Sequence, residues 1–402
     1  MLISYWKFTL NGDFMKILLI IPSLRNGGAE RVAANLSKSF EQRGHDVLVV
    51  TFSKGHVDYH VTNHLELDVE STSNKLIRLI NVIRRTLKLR RVKENFKPDV
   101  SLSLMFGANL INVLTKNDSE VVISSVRTTA KRDSSLIIRL TNQFVYRCSN
   151  LIVAVSKGIK MDLIDMYSIA DSKIDVIPNF TKFRGIFSFR GSMHSPINLI
   201  TVGRLEEVKA QWHLFHAINE IKNTIPNISL FVLGKGDLTG YYLKLISELK
   251  LHDYIHLVGF QSEVEGYYEK SDIFLLSSNY EGFGNVLIEA MNHGLPIIST
   301  DVPYGPKEIL NPSGVDLYVN DETIVDEKFG LLVDHRNNPK SNHIGYKDDF
   351  IVNQFVDKIQ LLIENKELYN HYSRQSLRRV RDFSEDKIVN QWIKLFERLT
   401  NE

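Results

Sequence analysis

The sequence predicts an α/β protein built from two successive open sheets, each covered by helices on both faces. Two observations carry this. Short apolar runs, residues 17–21 the clearest, alternate with helical periods along most of the chain, as strands covered on both faces of a parallel sheet do. The alternation breaks near Val176-Ile177-Pro178-Asn179 and restarts at Asn198, which gives one doubly wound layer structure per half.

Residues 1–14 stand outside the pattern. Met15 reads as the natural start, and what precedes it as an extension or loose arm. Residues 17–21 form a strand and 22–28 a loop with two adjacent glycines. Residues 29–43 form a helix with Val32, Ala33, Leu36 and Phe40 at helical spacing, and Gly44 stops it. Strands follow at 47–52, 100–104, 121–125 and 151–155. The first domain spans 15–180. Residues 181–196, with Gly, Ser, Phe and Pro and no period, form the linker. The second domain, 197–375, has strands at 198–202, 229–233, 255–258, 273–277 and 296–299. Its helices lie at 210–222, 241–249, near Tyr267 and at 285–293. Beyond residue 347 the chain is mostly helical, with Phe350, Val352, Phe355, Ile359 and Leu362 on one face. Residues 376–402 form a helix expected to return to the first domain.

Composition narrows the function. The chain of 402 residues carries a net charge of +2, which excludes a generally cationic nucleic-acid coat. Cys148 is the single cysteine; it excludes an internal disulfide framework and a Cys-based zinc site, and it fits a reducing cytoplasm. Residues 17–21 are far short of the roughly 20 that span a bilayer, and no secretory signal is present. Neither a Gly-x-Ser-x-Gly elbow nor a phosphate-loop Gly-Lys-Ser/Thr occurs.

In open parallel sheets, ligands sit beyond the carboxyl ends of the strands. Gly27-Gly28-Ala29-Glu30 precedes a helix and is either an anion-receiving loop or a simple tight turn. Val202-Gly203-Arg204-Leu205 ends a strand, and Lys209 follows. Two cations at a strand-to-helix turn suit a diphosphate, or are a solvated basic pair. Gly234-Lys235-Gly236 is a turn whose glycines allow close backbone approach.

The richest segment is Glu281-Gly282-Phe283-Gly284-Asn285, with Glu289 eight residues after Glu281 inside a helix that ends at Gly294 and Pro296. Loop amides and the helix N-terminus suit an anion, and Glu289, two turns in, can accept hydroxyl hydrogen bonds from a ribose. The alternative is a capping Glu281 and an exposed Glu289. His213 and His216 read as packing residues rather than metal ligands.

This ordered set, together with Gly-Leu-Pro-Ile-Ile-Ser-Thr at 294–300, resembles retaining glycosyltransferases of family 4, from Met15 to about the chain end. The resemblance implies a GT-B fold: two facing Rossmann-like domains with an inter-domain cleft. Residues 300–310 resemble the subgroup that builds bacterial surface polysaccharides on polyprenyl diphosphate. By that resemblance Arg204 and Lys209 hold the donor diphosphate, Glu289 binds the ribose, and Glu281 touches the donor sugar. Gly203, Gly234, Gly282, Phe283, Gly284 and Asn285 complete the donor pocket, Gly259 edges the base, and Gly28 lets the first domain's loop approach the phosphate. Gly27 is placed on the acceptor side. Many relatives carry a His after the strand at 121–125; here the stretch reads Ser124-Ser125-Val126-Arg127-Thr128, and Arg127 is assigned to acceptor binding or to the surface.

The implied chemistry is electrostatic. Breaking the sugar–nucleotide bond loads charge on the leaving diphosphate, and each fixed donor aimed at it contributes about 3 kcal/mol. The family has no clear nucleophile; front-face attack with the leaving phosphate as base is favoured, so Glu281 is a site residue without being a nucleophile. No metal or other cofactor is expected. The donor is a nucleotide sugar, with UDP favoured over GDP, and the acceptor a lipid-linked glycan. A nucleotide-sugar epimerase and a non-catalytic sugar-binding subunit share the architecture and stay open.

Between Lys75 and Lys97 lie nine Lys or Arg residues and one acid, Glu94. Leu76, Leu79, Ile80, Ile83 and Leu87 fall at helical spacing through them. This helix either lies on anionic lipid or packs its apolar face inward; it lacks the aromatic interleaving of a nucleic-acid binder. The expectation is a cytoplasmic protein, peripheral on the inner face of the membrane.

Overall fold

The computed structural model describes residues 14–402 apart from 26, 56, 71, 129–134, 183–190, 303, 314–328, 336–343 and 345. All of the extension at 1–14 except Phe14, and much of the linker at 181–196, therefore lie outside the described residues. The chain divides into two compact units, Met1–Asn179 with Glu385–Glu402, and Phe180–Ser384.

The first unit holds a seven-stranded parallel sheet. Its strands are β1 (Lys16–Ile21), β2 (Asp46–Thr51), β3 (His64–Glu66), β4 (Val100–Leu104), β5 (Val121–Val126), β6 (Leu151–Ala154) and β7 (Ile174–Val176). They lie in the order β3-β2-β1-β4-β5-β6-β7. Ile17 to Ile21 are all fully buried, because helices cover both faces of the sheet. Helix α1 (Gly28–Gln42) buries Val32, Ala33, Leu36 and Phe40 and ends before Gly44, whose φ of +87° continues no helix. The first unit's other helices are α2 (Lys75–Phe96), α3 (Phe106–Leu114), α4 (Leu136–Cys148) and α5 (Lys157–Tyr167).

The second unit holds six parallel strands: β8 (Ile197–Val202), β9 (Ile228–Leu233), β10 (Ile255–Gly259), β11 (Ile273–Leu276), β12 (Ile297–Thr300) and β13 (Leu331–Val333). Their order is β10-β9-β8-β11-β12-β13. The helices are α6 (Trp212–Ile221), α7 (Thr239–Glu248), α8 (Glu265–Glu269), α9 (Asn285–Asn292), α10 (Gly305–Leu310), α11 (Asp349–Glu364) and α12 (Lys366–Arg379). Helix α13 (Glu385–Thr400) belongs to the first unit, where Phe396 meets Phe40 at 5.4 Å and Asp386 pairs with Arg43 at 2.7 Å. The strand order reverses between β1 and β4 and between β8 and β11. Those reversals open crevices at the carboxyl edge of each sheet.

Local differences from the sequence reading have physical causes. Strands β3, β7 and β13 have three residues each, too few to show a period. A 3-10 turn at Glu207–Lys209 and left-handed Ala210 (φ +47°) delay the helix expected at 210 until Trp212. The boundary at 376 falls inside α12; the chain rejoins the first unit only at Glu385. No Gly or Pro marks that break, which is made by a 3-10 turn at Val380–Phe383.

One layer of the first unit is polar. Lys93 of α2 is buried, and its Nζ donates to Glu120 Oε1 (2.8 Å), Asn112 Oδ1 (2.7 Å) and the Asn112 carbonyl (3.2 Å). Asn112 in turn donates to the Ser101 carbonyl and to Ser103 Oγ. Burial pulls the ammonium down to about 8 against the opposing pull of Glu120. Lys93 thus leaves the surface charge of the basic helix and becomes part of the core.

Candidate functional site

The carboxyl edge of the second sheet gathers most of the predicted residues. After β8, Gly203 donates its amide to the Leu233 carbonyl, and Leu205 donates to the Lys235 carbonyl. Gly234, after β9, donates to the Gly259 carbonyl at the end of β10. Three strand ends are thereby laced into one floor, and the lacing needs glycine. A Cβ on Gly234 would lie 1.9 Å from the Gly203 carbonyl oxygen, and its φ is +138°. One on Gly236 would lie 2.4 Å from the Leu205 carbonyl oxygen. Gly234→Ala is expected to cost about 1–3 kcal/mol from backbone conformation alone, seen as a lower urea midpoint; an unchanged midpoint would show that the floor can shift.

Lys209 and Glu281 meet across the β8/β11 reversal, with Nζ and Oε1 2.5 Å apart. Both side chains are largely buried. Ser278 Oγ donates to the same Oε1 (2.7 Å), Ser277 Oγ to the Lys209 carbonyl (2.9 Å), and the Asn279 amide to the Val208 carbonyl (2.8 Å). Thr300 Oγ1, from β12, donates to the Ser278 carbonyl at 2.6 Å. The pair is fixed from three strands, and both bonds to Glu281 end on Oε1.

Glu281 leads into Gly282 and Phe283, then into Gly284, whose φ of +89° turns the chain into α9 at Asn285. Phe283 is buried with its ring 5.5 Å from that of Phe383. Its carbonyl oxygen lies 1.9 Å from where a Cβ on Gly305 would stand, so α10 packs tightly beneath the loop. Asn279 Oδ1 lies 2.9 Å from His335 Nε2, and burial lowers the pKa of that imidazole.

Glu289, one turn into α9, accepts from the Tyr268 hydroxyl at 3.3 Å, and Tyr268 stacks on His293 at 5.3 Å. Arg204 is not drawn into the Lys209–Glu281 pair. It is exposed and pairs with Glu206 at 2.7 Å. His213 is buried beside Trp212, as a packing residue would be.

In the first unit Gly27 precedes α1 and Gly28 opens it. The Glu30 carboxylate folds back to within 1.9 Å of the Cβ position of Gly27, so this helix N-terminus already faces an anion of its own. Arg127, just past β5, donates from Nη1 to Asn179 Oδ1, while its Nε is buried without a partner among the described residues. Burial, with no carboxylate opposing it, pulls the guanidinium down to about 10.

Sequence reasoning gave no role to Ser277, Ser278 or Tyr268, and took Thr300 only as the end of the 294–300 motif. The two serines directly after the β11 run carried a signal, since hydroxyls at a strand's carboxyl end face the ligand edge. Tyr268 carried none, because its partner lies in another helix.

Comparison with known proteins identifies the family and the fold. The family model "Glycosyltransferase Family 4" matches residues 26–182, and "Glycosyl transferases group 1" matches 186–379. A relative from Campylobacter jejuni, N-acetylgalactosamine-N,N'-diacetylbacillosaminyl-diphospho-undecaprenol 4-alpha-N-acetylgalactosaminyltransferase, is 24% identical over 94% of this chain and 98% of its own. The amylovoran biosynthesis glycosyltransferase AmsD of Erwinia amylovora is 23% identical over 94% and 98%. The Anabaena HepE structure in complex with UDP and glucose superposes with a TM-score of 0.71 at 17% identity, over 95% of this chain and 98% of that one. The matched models and the paired parallel sheets make this chain a glycosyltransferase of the GT-B fold, of the family 4 type.

Proposed function

We propose that the chain transfers a hexose or N-acetylhexosamine from its UDP derivative, with retention of anomeric configuration, to a growing glycan on polyprenyl diphosphate. The product is a surface polysaccharide such as capsule, O-antigen or exopolysaccharide. The observation that carries this is the Lys209–Glu281 pair, clamped at 2.5 Å beside the N-terminus of α9. An ammonium and helix amides at the carboxyl edge of an open sheet receive a diphosphate. Glu281 Oε2 accepts from a sugar hydroxyl, and Glu289 accepts from the ribose. Arg204 exchanges Glu206 for the second phosphate.

As the anomeric bond breaks, Lys209 and Arg204 meet the charge that develops on the leaving UDP. The leaving phosphate itself takes the proton of the attacking hydroxyl. With those two cations in place, transfer asks for no metal. Arg127, half-buried and with no carboxylate opposing its charge among the described residues, is offered on the first unit to an acceptor oxygen or phosphate. The lipid-linked acceptors of the Campylobacter relative and the polysaccharide product of AmsD support this acceptor class.

Among the described residues no helix is long and apolar enough to cross a membrane. Contact with the inner leaflet then falls to the basic helix at 75–97. Incubating the protein with a panel of labelled nucleotide sugars and a polyprenyl-diphosphate glycan tests the proposal. Label in the lipid extract supports it, whereas an epimerised donor or no product at all removes it.

A further inference from the structure

Helix α2 packs Leu89, Val92 and Phe96 inward as a surface helix does, but its N-terminal half turns most of its apolar side chains outward. Its buried positions are Asn81, Leu89 and Lys93, with Val82, Arg85, Val92 and Phe96 half-buried beside them. Asn81 donates to the Glu70 carbonyl, and Arg85 donates to the Val69 carbonyl and lies 4.7 Å over the Phe52 ring. Its apolar stripe of Leu76, Leu79, Ile80, Ile83 and Leu87 faces outward, with Leu76 75% exposed.

Helix α4 does the same. Leu136, Ile137, Leu140 and Phe144 form an exposed stripe at helical spacing, with Ile137 75% exposed. Asn142, Val145 and Tyr146 turn inward. Right-handed crossovers put α2, α3 and α4 on one face of the first sheet, and α3 packs against both neighbours. The N-termini of α2 and α4, and Met105 and Phe106 at the start of α3, all lie at the sheet's carboxyl edge. Met105 and Phe106 are exposed as well.

We propose that α4 and the N-terminal half of α2 together form one docking face that seats the first unit on an anionic bilayer, with the α4 stripe entering the lipid. Such an apolar area is unusual on a protein that faces only water. Charge chooses the occupant. Arg78 and Arg84 in the N-terminal half of α2 and Arg139 on α4 are exposed, and neither stretch carries an acid. A two-fold contact between copies would set these cations against each other, whereas anionic headgroups gain about fivefold in partitioning per cation near the surface. The face also turns the carboxyl edge of the first sheet toward the membrane, so this inference rests on the lipid-linked acceptor proposed above.

The test uses the full chain with vesicles of phosphatidylglycerol and phosphatidylcholine in equal parts, against phosphatidylcholine alone. The protein should sediment with the first and at least about fivefold less with the second. Ile137→Asp with Leu140→Asp should lower binding at least about tenfold, with melting temperature and UDP protection unchanged because both side chains are exposed. Binding equal to the unaltered protein would overturn the role of α4. So would a dimer that this variant abolishes in the absence of vesicle binding. Transfer to a detergent-dispersed acceptor without vesicle binding removes the docking face and leaves the proposed function. Binding through α4 without transfer supports the face and removes the acceptor.

Discussion

Lys209→Ala should lower transfer at least about tenfold, and it should weaken the thermal protection given by UDP. The ammonium is one of two cations aimed at the leaving diphosphate, and single fixed donors of this kind contribute about 3 kcal/mol. The fold should survive the change. The Lys209 carbonyl still accepts from Ser277, and Glu281 still accepts from Ser278. A steady-state comparison checks the outcome: a fall in kcat with a modest change in melting temperature assigns the ammonium to the reaction. Unchanged turnover would leave Lys209 as a strut for Glu281 only.

Lys93→Met should destabilise the protein by about 3–5 kcal/mol, the usual cost of removing one partner from a buried ion pair. Side-chain exposure is 1% at Lys93 and 0% at Glu120, so neither charge can turn to water. Among the described residues Glu120 Oε2 has no hydrogen-bond partner, and the substitution would strip the carboxylate of its ammonium as well. Combining Lys93→Met with Glu120→Leu should restore most of the loss, because no uncompensated charge then remains. Urea midpoints for the two variants decide this. A single variant as stable as the parent would mean that water reaches the pair.

The two sheets were legible because short continuous apolar runs such as that of β1, alternating with helical periods, are what strands covered on both faces give. The contact between Lys209 and Glu281 was legible as roles and not as a contact. Their partnership follows from β8 and β11 being neighbours, which only the strand order reveals. The periodicity of 75–97 showed an amphipathic helix but not its orientation. Asn81, Arg85 and Lys93 turn inward because main-chain carbonyls, Asn112 and Glu120 await them, and none of these is near in sequence. Arg204 was read as a diphosphate ligand; in the structure its charge is held by Glu206, two residues on, a pairing that spacing alone does not distinguish from a free cation.

A crystal structure of the UDP complex tests the central claim most directly. Pyrophosphate oxygens should lie about 3 Å from Lys209 Nζ, with Arg204 released from Glu206 and the ribose hydroxyls on Glu289. A nucleotide bound with Lys209 and Glu289 both out of its reach would contradict the account.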